Sequence, residues 1–401
     1  MTDQPLIKKT PSSELDHRIG ALQAKMASDD IDGILVIQNS DLFYFSGTTQ
    51  QAHLYIPTTG KPLLMVRKDY ARARAESDIE LIIPLSSPRK IPDILADHGY
   101  TRPKTLGLEC DVLPVNLYFS YQKIFADSRF VDAAPLIRLV RAVKSEYEIE
   151  RITRAAGLAD QVAAGMTEFL EAGISEIKLA GRIEARAREL GHQGFVRMRL
   201  WGSEMFYGHL MSGPSAAVPS YLASPTGGVG TSPAFAQGAG FRTIRRNEAV
   251  LLDYVFACNG YLADHTRIFA IGDLPDELKQ AHADMLAIQE SIKAAAKPGV
   301  PSGDLYDLAV ARAAEQGLGD YFMGAGDQRV RFIGHGIGIE LDEFPFLASG
   351  QKLALEAGMV VALEPKVVLP GKGVVGIENT HVVTAGGLRQ LTVFEESIIV
   401  V

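Results

Sequence analysis

The chain has 401 residues, of which 47% are hydrophobic and 22% are charged, and its formal net charge is −8 at pH 7. Because one hydrophobic core rarely fills a chain of this length, two domains are expected. The acidic balance argues against nucleic acid and anionic membranes as partners, since phosphate binding needs a basic face. The short basic runs at 182–188 and 242–246 are more simply solvated surfaces.

The cysteines and the first residues bear on the cellular compartment. The two cysteines, Cys110 and Cys258, lie far apart and lack metal-ligand spacing. This excludes a disulfide framework and fits a reducing compartment. The polar stretch 1–18 lacks the apolar core of a signal peptide, and no apolar run is long enough to span a bilayer. We therefore expect a cytoplasmic protein.

Short apolar, β-rich runs bounded by turn residues alternate with helical spacing in the first third of the chain. Helices are predicted over 14–29, near 68–77 and near 89–98. Strands are predicted over 33–38, 42–47, 53–57, 62–67, 80–85 and 105–109. This order predicts a small α/β domain that ends near Val140.

A long helix is predicted next, over 143–173, with Ser145 as its N-cap. An internal repeat follows, because residues 172–191 align without gaps with residues 298–317. Any two capped amphipathic helices look alike to some degree, but the bounding glycines and an internal arginine favour duplication. A duplicated α+β unit would enclose a site between its halves. The matched pairs are Gly173 with Gly299, Arg186 with Arg312, Glu189 with Glu315 and Gly191 with Gly317.

A β-hairpin is predicted around Asn-Gly at 259–260, which separates two apolar arms and is a strong hairpin signal. If these two residues form the loop, Asp253 lies opposite Thr266. Asp264 is then the diagonal neighbour of Asp253 on the same face, at roughly 7 Å between Cβ atoms. Two carboxylates at that distance can each reach ions held about 3.5–4 Å apart.

A second hairpin repeats this arrangement near the end of the chain. A loop centred on Gly371 places Glu364 directly opposite Glu378. The sequence DHTR at 264–267 also matches ENTH at 378–381 in character. Each half of the duplication therefore offers two acidic side chains on one face of a hairpin.

The surroundings of these acids indicate metal ions. Carboxylates in such apolar arms are expected to be buried, where they need a partner or an ion, and four converging acids would repel one another. Each acid alone could be an exposed strand residue or a salt-bridge partner. His335 lies between two glycines, which more often marks a turn, but imidazole is a common ligand of transition ions. The candidate metal ligands are Asp253, Asp264, His335, Glu364 and Glu378.

These residues and their order resemble the creatinase, prolidase and aminopeptidase P family of metallopeptidases, which has the pita-bread fold. The matching segments are LLDYVFACNGYLADHTR, GHGIGIELDEFP, ALEP and GIENT, with GILVIQNSDLFYFSG in the first third. The resemblance implies an α+β protein. It assigns 1–142 to a small α/β creatinase-type N-terminal domain and 143–401 to a duplicated pita-bread catalytic domain. It also implies a homodimer.

The resemblance further implies a centre of two divalent transition-metal ions, which in this family are manganese, cobalt, zinc or iron. Asp253 would chelate one ion, Asp264 and Glu378 would bridge both, and His335 and Glu364 would bind the other. A bridging hydroxide would attack the amide carbonyl of a small peptide, as in an Xaa-Pro aminopeptidase or dipeptidase. Glu364 would also carry the proton.

Three positions depart from the family pattern. Asp342 stands where the peptidases usually have a histidine that stabilises the developing charge on the substrate. An ionised Asp342 cannot donate a hydrogen bond and would suit a cationic substrate group. Ser220 or Tyr221 stands where the family has a second histidine. Gly376 stands where the aminopeptidase P branch commonly has arginine.

Other residues near these positions are candidates for a modified site. The Gly/Ser/Pro-rich stretch 222–240 is either a mobile loop or a lid. His209 would substitute for a missing imidazole, although a surface or core histidine is the simpler interpretation. Tyr221, Arg267 and Arg331 are candidate substrate contacts. The candidate catalytic residues are Glu364, Asp342 and His209.

Three functions compete. The first is a metal-dependent Xaa-Pro peptidase. The second is a non-peptidase member of the fold that acts on a small metabolite or other small-molecule amide, as ectoine hydrolase, creatinase and the lyase for dimethylsulfoniopropionate do. The third is an inactive binding protein. The loss of both histidines favours the second, whereas retention of all five ligands argues against metal-free creatinase and against the third.

Overall fold

The polypeptide forms two units in the computed structural model, which describes residues 9–205 and 207–401. One unit ends at Arg141 and the other runs from Ala142 to Val401. Within the described ranges, no helix combines the length and the apolar character needed to cross a membrane.

The first unit is built on a six-stranded mixed sheet in the order β4-β3-β2-β1-β5-β6. Strand β1 pairs antiparallel with β2 and parallel with β5. Apolar side chains of the sheet and of the helices that cover it form a separate core. The elements are α1 Ser12–Ser28, β1 Gly33–Val36, α2 Asn39–Ser46, β2 Ala52–Pro57, β3 Leu63–Val66, α3 Tyr70–Glu76, β4 Leu81–Pro84, α4 Ile91–Asp97, β5 Thr105–Leu108, α5 Val115–Ile124, β6 Arg129–Asp132 and α6 Ala134–Ala142.

The strand predicted over 42–47 is wrong, because these residues end helix α2. The Gln38 side chain accepts the amide hydrogen of Asp41 at the start of the helix. Gly47 ends it in the left-handed conformation, with φ of 75°. In a short apolar run, the spacing of hydrophobic residues does not distinguish a strand from a buried helix. The capping contacts therefore determine the structure here.

His53 on β2 gives the first unit a predictable response to acid. The imidazole is buried, and its Nε2 lies 2.7 Å from Tyr121 Oη. Burial, with a smaller effect of Arg67, lowers the pKa of His53 from 6.5 to about 4. The unfolded chain therefore takes up the proton at a higher pH than the folded chain. The stabilisation is complete above about pH 6.5 and is lost as the pH falls towards 4.

Replacement His53→Gln removes this titration and is expected to keep a hydrogen bond to Tyr121. We expect the loss of unfolding free energy between pH 7 and pH 5 to be smaller in the variant by about 2 kcal/mol. Urea unfolding followed by circular dichroism at both pH values measures the difference. The same pH dependence of the unfolding free energy in both proteins would contradict a lowered pKa of His53.

The second unit contains two larger sheets and a two-stranded ladder. The sheet orders are β17-β9-β8-β7 and β11-β10-β12-β15-β16, and β13 pairs with β14. The elements are α7 Glu146–Phe169, α8 Glu176–Glu189, β7 Gly208–Ser212, α9 Gly213–Ala216, β8 Val250–Cys258, β9 Tyr261–Ala270, α10 Asp276–Ala295, α11 Ser302–Glu315, β10 Phe332–Gly336, β11 Glu343–Ala348, β12 Val360–Leu363, β13 Lys366–Leu369, β14 Gly373–Gly376, β15 Asn379–Thr384, β16 Gly387–Gln390 and β17 Ile399–Val400.

The structure agrees with the predicted duplication. Helices α8 and α11 each have 14 residues and begin and end at equivalent positions of the two copies. Each follows a long helix, α7 or α10, and α7 begins after the predicted cap Ser145. The four bounding glycines all have positive φ, which explains why glycine recurs there. These are Gly173 (93°), Gly191 (98°), Gly299 (92°) and Gly317 (74°).

Candidate metal centre

The first carboxylate pair lies on the β8–β9 hairpin, in the predicted register. Asp253 pairs with Thr266, and Asp264 lies across from Val255, so the two acids share a face. The loop residues 259–260 have φ of 53° and 85°. Positive φ at both positions is what a two-residue loop of this kind requires.

The second pair also follows the predicted register. Strands β13–β14 and β12–β15 continue one alignment, which places Glu364 opposite Glu378. The ladder is interrupted between these strand pairs, where Pro365 has no amide hydrogen to donate. The Glu378 backbone pairs instead with Thr266 of the first hairpin, through N–O distances of 3.2 and 3.4 Å. The two hairpins thereby meet at their acidic residues.

His335 reaches the same place from β10 because the glycines on both sides allow close backbone packing. A Cβ on Gly334 would lie 2.2 Å from the carbonyl oxygen of Ala362. A Cβ on Gly336 would lie 2.1 Å from that of Phe344. Any other residue at either position would push β10 away from its neighbours β12 and β11.

The spacing of these side chains suits a cation. His335 Nε2 lies 3.7 Å from Glu364 Oε1 and 4.0 Å from Asp264 Oδ2. One ligand atom from each of Asp264, His335 and Glu378 lies within 4.8 Å of the others. The two histidine distances are too long for hydrogen bonds. They match ligands that each sit about 2.1 Å from a shared ion and hence roughly 3–4 Å apart.

Burial makes this arrangement costly without an ion. Asp264 Oδ1 is buried and has no hydrogen-bond partner among the described residues. Burial raises the pKa of Asp264 well above its ordinary value, and repulsion by Glu378 and Asp253 raises it further. Burial also raises the pKa of Glu378 to about 7. For His335, burial opposes protonation, but the carboxylates around it raise its pKa.

Lys366 belongs to this cluster of side chains, and the sequence interpretation missed it. Its Nζ donates to Asp253 Oδ2 at 3.0 Å, to Glu364 Oε2 at 2.9 Å and to Glu378 Oε2 at 2.8 Å. The side chain is 1% exposed. Burial opposes its charge, but the three carboxylates raise its pKa well above the ordinary value. The sequence did contain a signal for it. Side chains two residues apart along a strand lie on the same face, so residue 366 is expected on the face of residue 364.

Two candidate catalytic residues, His209 and Asp342, line one small cavity together with the five candidate ligands. His209 is buried on β7, directly across from Asp253. Burial lowers its pKa, and it contacts the Gln237 side chain. The Asp342 side chain is 19% exposed, and its Oδ1 lies 3.8 Å from His335 Nδ1.

The prediction that Arg267 contacts the substrate is wrong. Its guanidinium is fully buried and does not line the cavity. It donates to the backbone oxygens of Thr266, Glu378 and Phe394 and to the side chain of Asn379. The hydrogen bonds of Arg267 thus link the two hairpins.

The other predicted substrate contacts also lie outside the described cavity lining. Tyr221 is 59% exposed, and the exposed Arg331 donates to Ser349. Residues 222–224 line the cavity instead. Residues 222–224, together with Gln237, which contacts His209, therefore form part of the wall of the site.

The fold and the converging acids define a metallohydrolase of the pita-bread type. Residues 150–385 match the model of metallopeptidase family M24, and residues 18–143 match that of the creatinase/prolidase N-terminal domain. The chain therefore belongs to this metallopeptidase family, as the sequence resemblance predicted.

Relatives extend over almost the full chain. An Xaa-Pro dipeptidase from Pyrococcus horikoshii is 28% identical over 390 residues, which cover 96% of this chain and 99% of that protein. The crystal structure of a prolidase from the same organism is 25% identical, with a TM-score of 0.79 and coverage of 94% and 99%. An X-Pro aminopeptidase from Thermotoga maritima is 26% identical, with a TM-score of 0.79 and coverage of 96% and 99%.

Proposed function

We propose that this chain is a metal-dependent peptidase that hydrolyses the amide bond of small peptides of the Xaa-Pro type. The observation that carries the proposal is the convergence of Asp264, His335 and Glu378 within 4.8 Å beside a cavity. Relatives named as Xaa-Pro dipeptidase and X-Pro aminopeptidase, which match nearly the whole chain, support the substrate class.

The residues present suit a divalent transition ion. Asp264, His335, Glu364 and Glu378 would hold it, and their mixed oxygen and nitrogen donors agree with manganese, cobalt, zinc or iron. Asp264 Oδ1, which is buried and without a hydrogen-bond partner among the described residues, is a further sign that these side chains suit a cation. When bound, such an ion lowers the pKa of water and polarises a substrate carbonyl.

Surrounding contacts orient these side chains. His335 Nδ1 donates to the Gly336 carbonyl at 3.1 Å, which presents Nε2 to the acids. Thr266 Oγ1 donates to Glu378 Oε2 at 2.9 Å. Thr380 Oγ1 accepts the Asp264 amide hydrogen at 3.0 Å and donates to the Asp264 carbonyl at 2.8 Å. Each hairpin thus supplies a threonine that fixes the acid of the other.

Glu364 is the residue that we propose moves the proton. Lys366 holds its Oε2, whereas its Oε1 lies towards His335 and the residue lines the cavity. Oε1 would also hold the ion, and as the Glu364 oxygen on the cavity side it is placed beside the water from which it would accept a proton and return it to the leaving nitrogen.

Asp342 supports a second candidate function, hydrolysis of a small cationic amide. Its carboxylate lines the cavity beside His335, where it would repel the developing oxyanion of a peptide substrate. The same carboxylate would attract an amine or another cationic group. The second candidate differs from the first in substrate and shares the metal centre.

Replacement Asp342→His tests which substrate this position favours. We expect it to raise kcat/KM for Xaa-Pro dipeptides about tenfold, because an imidazole donates a hydrogen bond that an ionised carboxylate cannot. The control Asp342→Asn removes the charge without adding the imidazole and is expected to give a smaller rise. Equal or lower rates in the histidine variant would remove Asp342 from the determinants of specificity.

A substrate screen tests the proposed function itself. The full chain is stripped with a chelator, reloaded with manganese, cobalt, zinc or iron, and offered Xaa-Pro dipeptides, tripeptides and small cyclic amides. We expect hydrolysis of an Xaa-Pro peptide that requires added metal. Hydrolysis of the cyclic or cationic amides alone would favour the second candidate. Turnover that persists with chelator, or none with any ion, would refute both.

Two predictions from the sequence extend this proposal. We propose that the enzyme is a homodimer, by analogy with the family, and light scattering after size exclusion measures the mass directly. We also propose a cytoplasmic location, which rests on the cysteine usage.

A further inference from the structure

We infer that the Lys366 ammonium takes the place of one of the two cations expected in this fold, so that the enzyme binds a single divalent ion. The inference rests on the proposed metal-dependent function and concerns the composition of the same centre.

The contacts of Lys366 are those of a bound cation. Its three donor hydrogens meet one oxygen each from Asp253, Glu364 and Glu378, at 2.8–3.0 Å. An ammonium has three donors and no acceptor, so this arrangement satisfies it completely. Charge-assisted hydrogen bonds of this kind are also stronger than those between neutral groups. The side chain is 1% exposed, so the ammonium cannot exchange these partners for water in place.

The backbone around Lys366 is built to aim it at the carboxylates. Its carbonyl accepts the amide hydrogen of Met323 at 2.9 Å, which fixes this end of β13. Gly376 lies directly opposite on β14. A Cβ at position 376 would lie 2.9 Å from Lys366 Cγ and 2.5 Å from the Pro365 carbonyl oxygen. Glycine at 376 therefore gives Lys366 the room that it occupies.

The carboxylates divide between the ammonium and the remaining ion position. Glu364 offers Oε2 to Lys366, whereas its Oε1 lies 3.7 Å from His335 Nε2. Glu378 likewise contacts Lys366 and belongs to the cluster with Asp264 and His335. Glu364 and Glu378 would thus bridge an ammonium and one ion, in the way that carboxylates bridge two ions.

Electrostatic repulsion points the same way. A second divalent ion that used the oxygens of Asp253, Glu364 and Glu378 would lie close to the Lys366 ammonium, which already contacts them. In a buried site such repulsion is poorly screened. A second ion and the Lys366 contacts therefore exclude each other.

Metal counting on the full chain tests this inference. Protein stripped with a chelator is reloaded with excess manganese, freed of unbound metal, and measured by inductively coupled plasma mass spectrometry. We expect about one ion per chain in the wild type and about two in Lys366→Ala. Electron paramagnetic resonance adds a readout independent of activity. An isolated manganese signal is expected in the wild type and a spin-coupled pair in the variant.

Two further variants make the count decisive. Lys352→Ala, at an exposed lysine outside the site, is expected to retain one ion. Lys366→Met removes the charge with less loss of packing, so it can be used if the alanine variant fails to fold. It is also expected to gain an ion. Two ions in the wild type, or one ion in both a folded Lys366 variant and the wild type, would overturn the inference and leave the metal-dependent function intact. No ion in any of the proteins would overturn the proposed function as well.

Discussion

Replacement Asp264→Asn is expected to lower kcat/KM on the preferred peptide substrate at least about 1,000-fold. The amide has nearly the same shape as the carboxylate but is neutral and a poor ligand for a divalent ion. The Asp264 side chain is buried, and its Oδ2 lies 4.0 Å from His335 Nε2 across the proposed ion position. Steady-state kinetics with metal analysis on the same samples measures the loss. Activity within tenfold of the wild type would contradict a role as ligand.

The same variant should be the more stable protein in the presence of a chelator. Without an ion, Asp264 is a carboxyl beside Glu378 and Asp253, and its burial, together with their repulsion, raises its pKa. Removing it is expected to increase the unfolding free energy by about 1–3 kcal/mol. Added manganese should raise the melting temperature of the wild type and leave that of the variant nearly unchanged. The control Asp327→Asn, at an exposed position, should behave as the wild type in both conditions.

Replacement Arg267→Met is expected to destabilise the second unit by about 3–5 kcal/mol. The guanidinium donates to three backbone oxygens and one side-chain oxygen at 2.8–3.3 Å, and all of these acceptors would lose a charged donor in a buried place. Two of the acceptors are the carbonyls of Thr266 and Glu378, which pair the hairpins that carry the acids. Denaturant unfolding measures the effect.

The matched control for this variant is Arg331→Met, on the exposed surface, where a change within about 0.5 kcal/mol is expected. Arg267 does not line the cavity. Its replacement should therefore lower the amount of folded enzyme and leave the KM of the folded fraction nearly unchanged. A stable Arg267→Met protein whose only defect is a raised KM would restore the interpretation of this arginine as a substrate contact.

The ligand hairpins could be predicted from the sequence because the information that sets them is local. Asn259 and Gly260 specify a two-residue loop, and the side-chain period of two then determines the face of every residue along both arms. The second hairpin followed from Gly371 by the same counting. The duplicated glycines were visible because each one meets a backbone requirement that other residues satisfy poorly.

The remaining features depend on contacts distant in sequence. Whether residues 42–47 form a strand or a helix depends on capping by Gln38 and Gly47, which hydrophobicity does not reveal. Arg267 was open to interpretation as a substrate contact because nothing near it in sequence shows that Phe394 and Asn379 accept its hydrogen bonds. Lys366 could have been placed on the face of Glu364, but its contact with Asp253 requires the whole fold.

Anomalous diffraction from crystals of the full chain grown with manganese tests the central claim most directly. The structure predicts one strong anomalous peak at about 2.0–2.3 Å from ligand atoms of Asp264, His335, Glu364 and Glu378. Lys366 Nζ should remain in contact with Asp253 on the far side of the two glutamates. Absence of a peak among these residues, with manganese present in the crystal, would contradict the assignment of a metal centre.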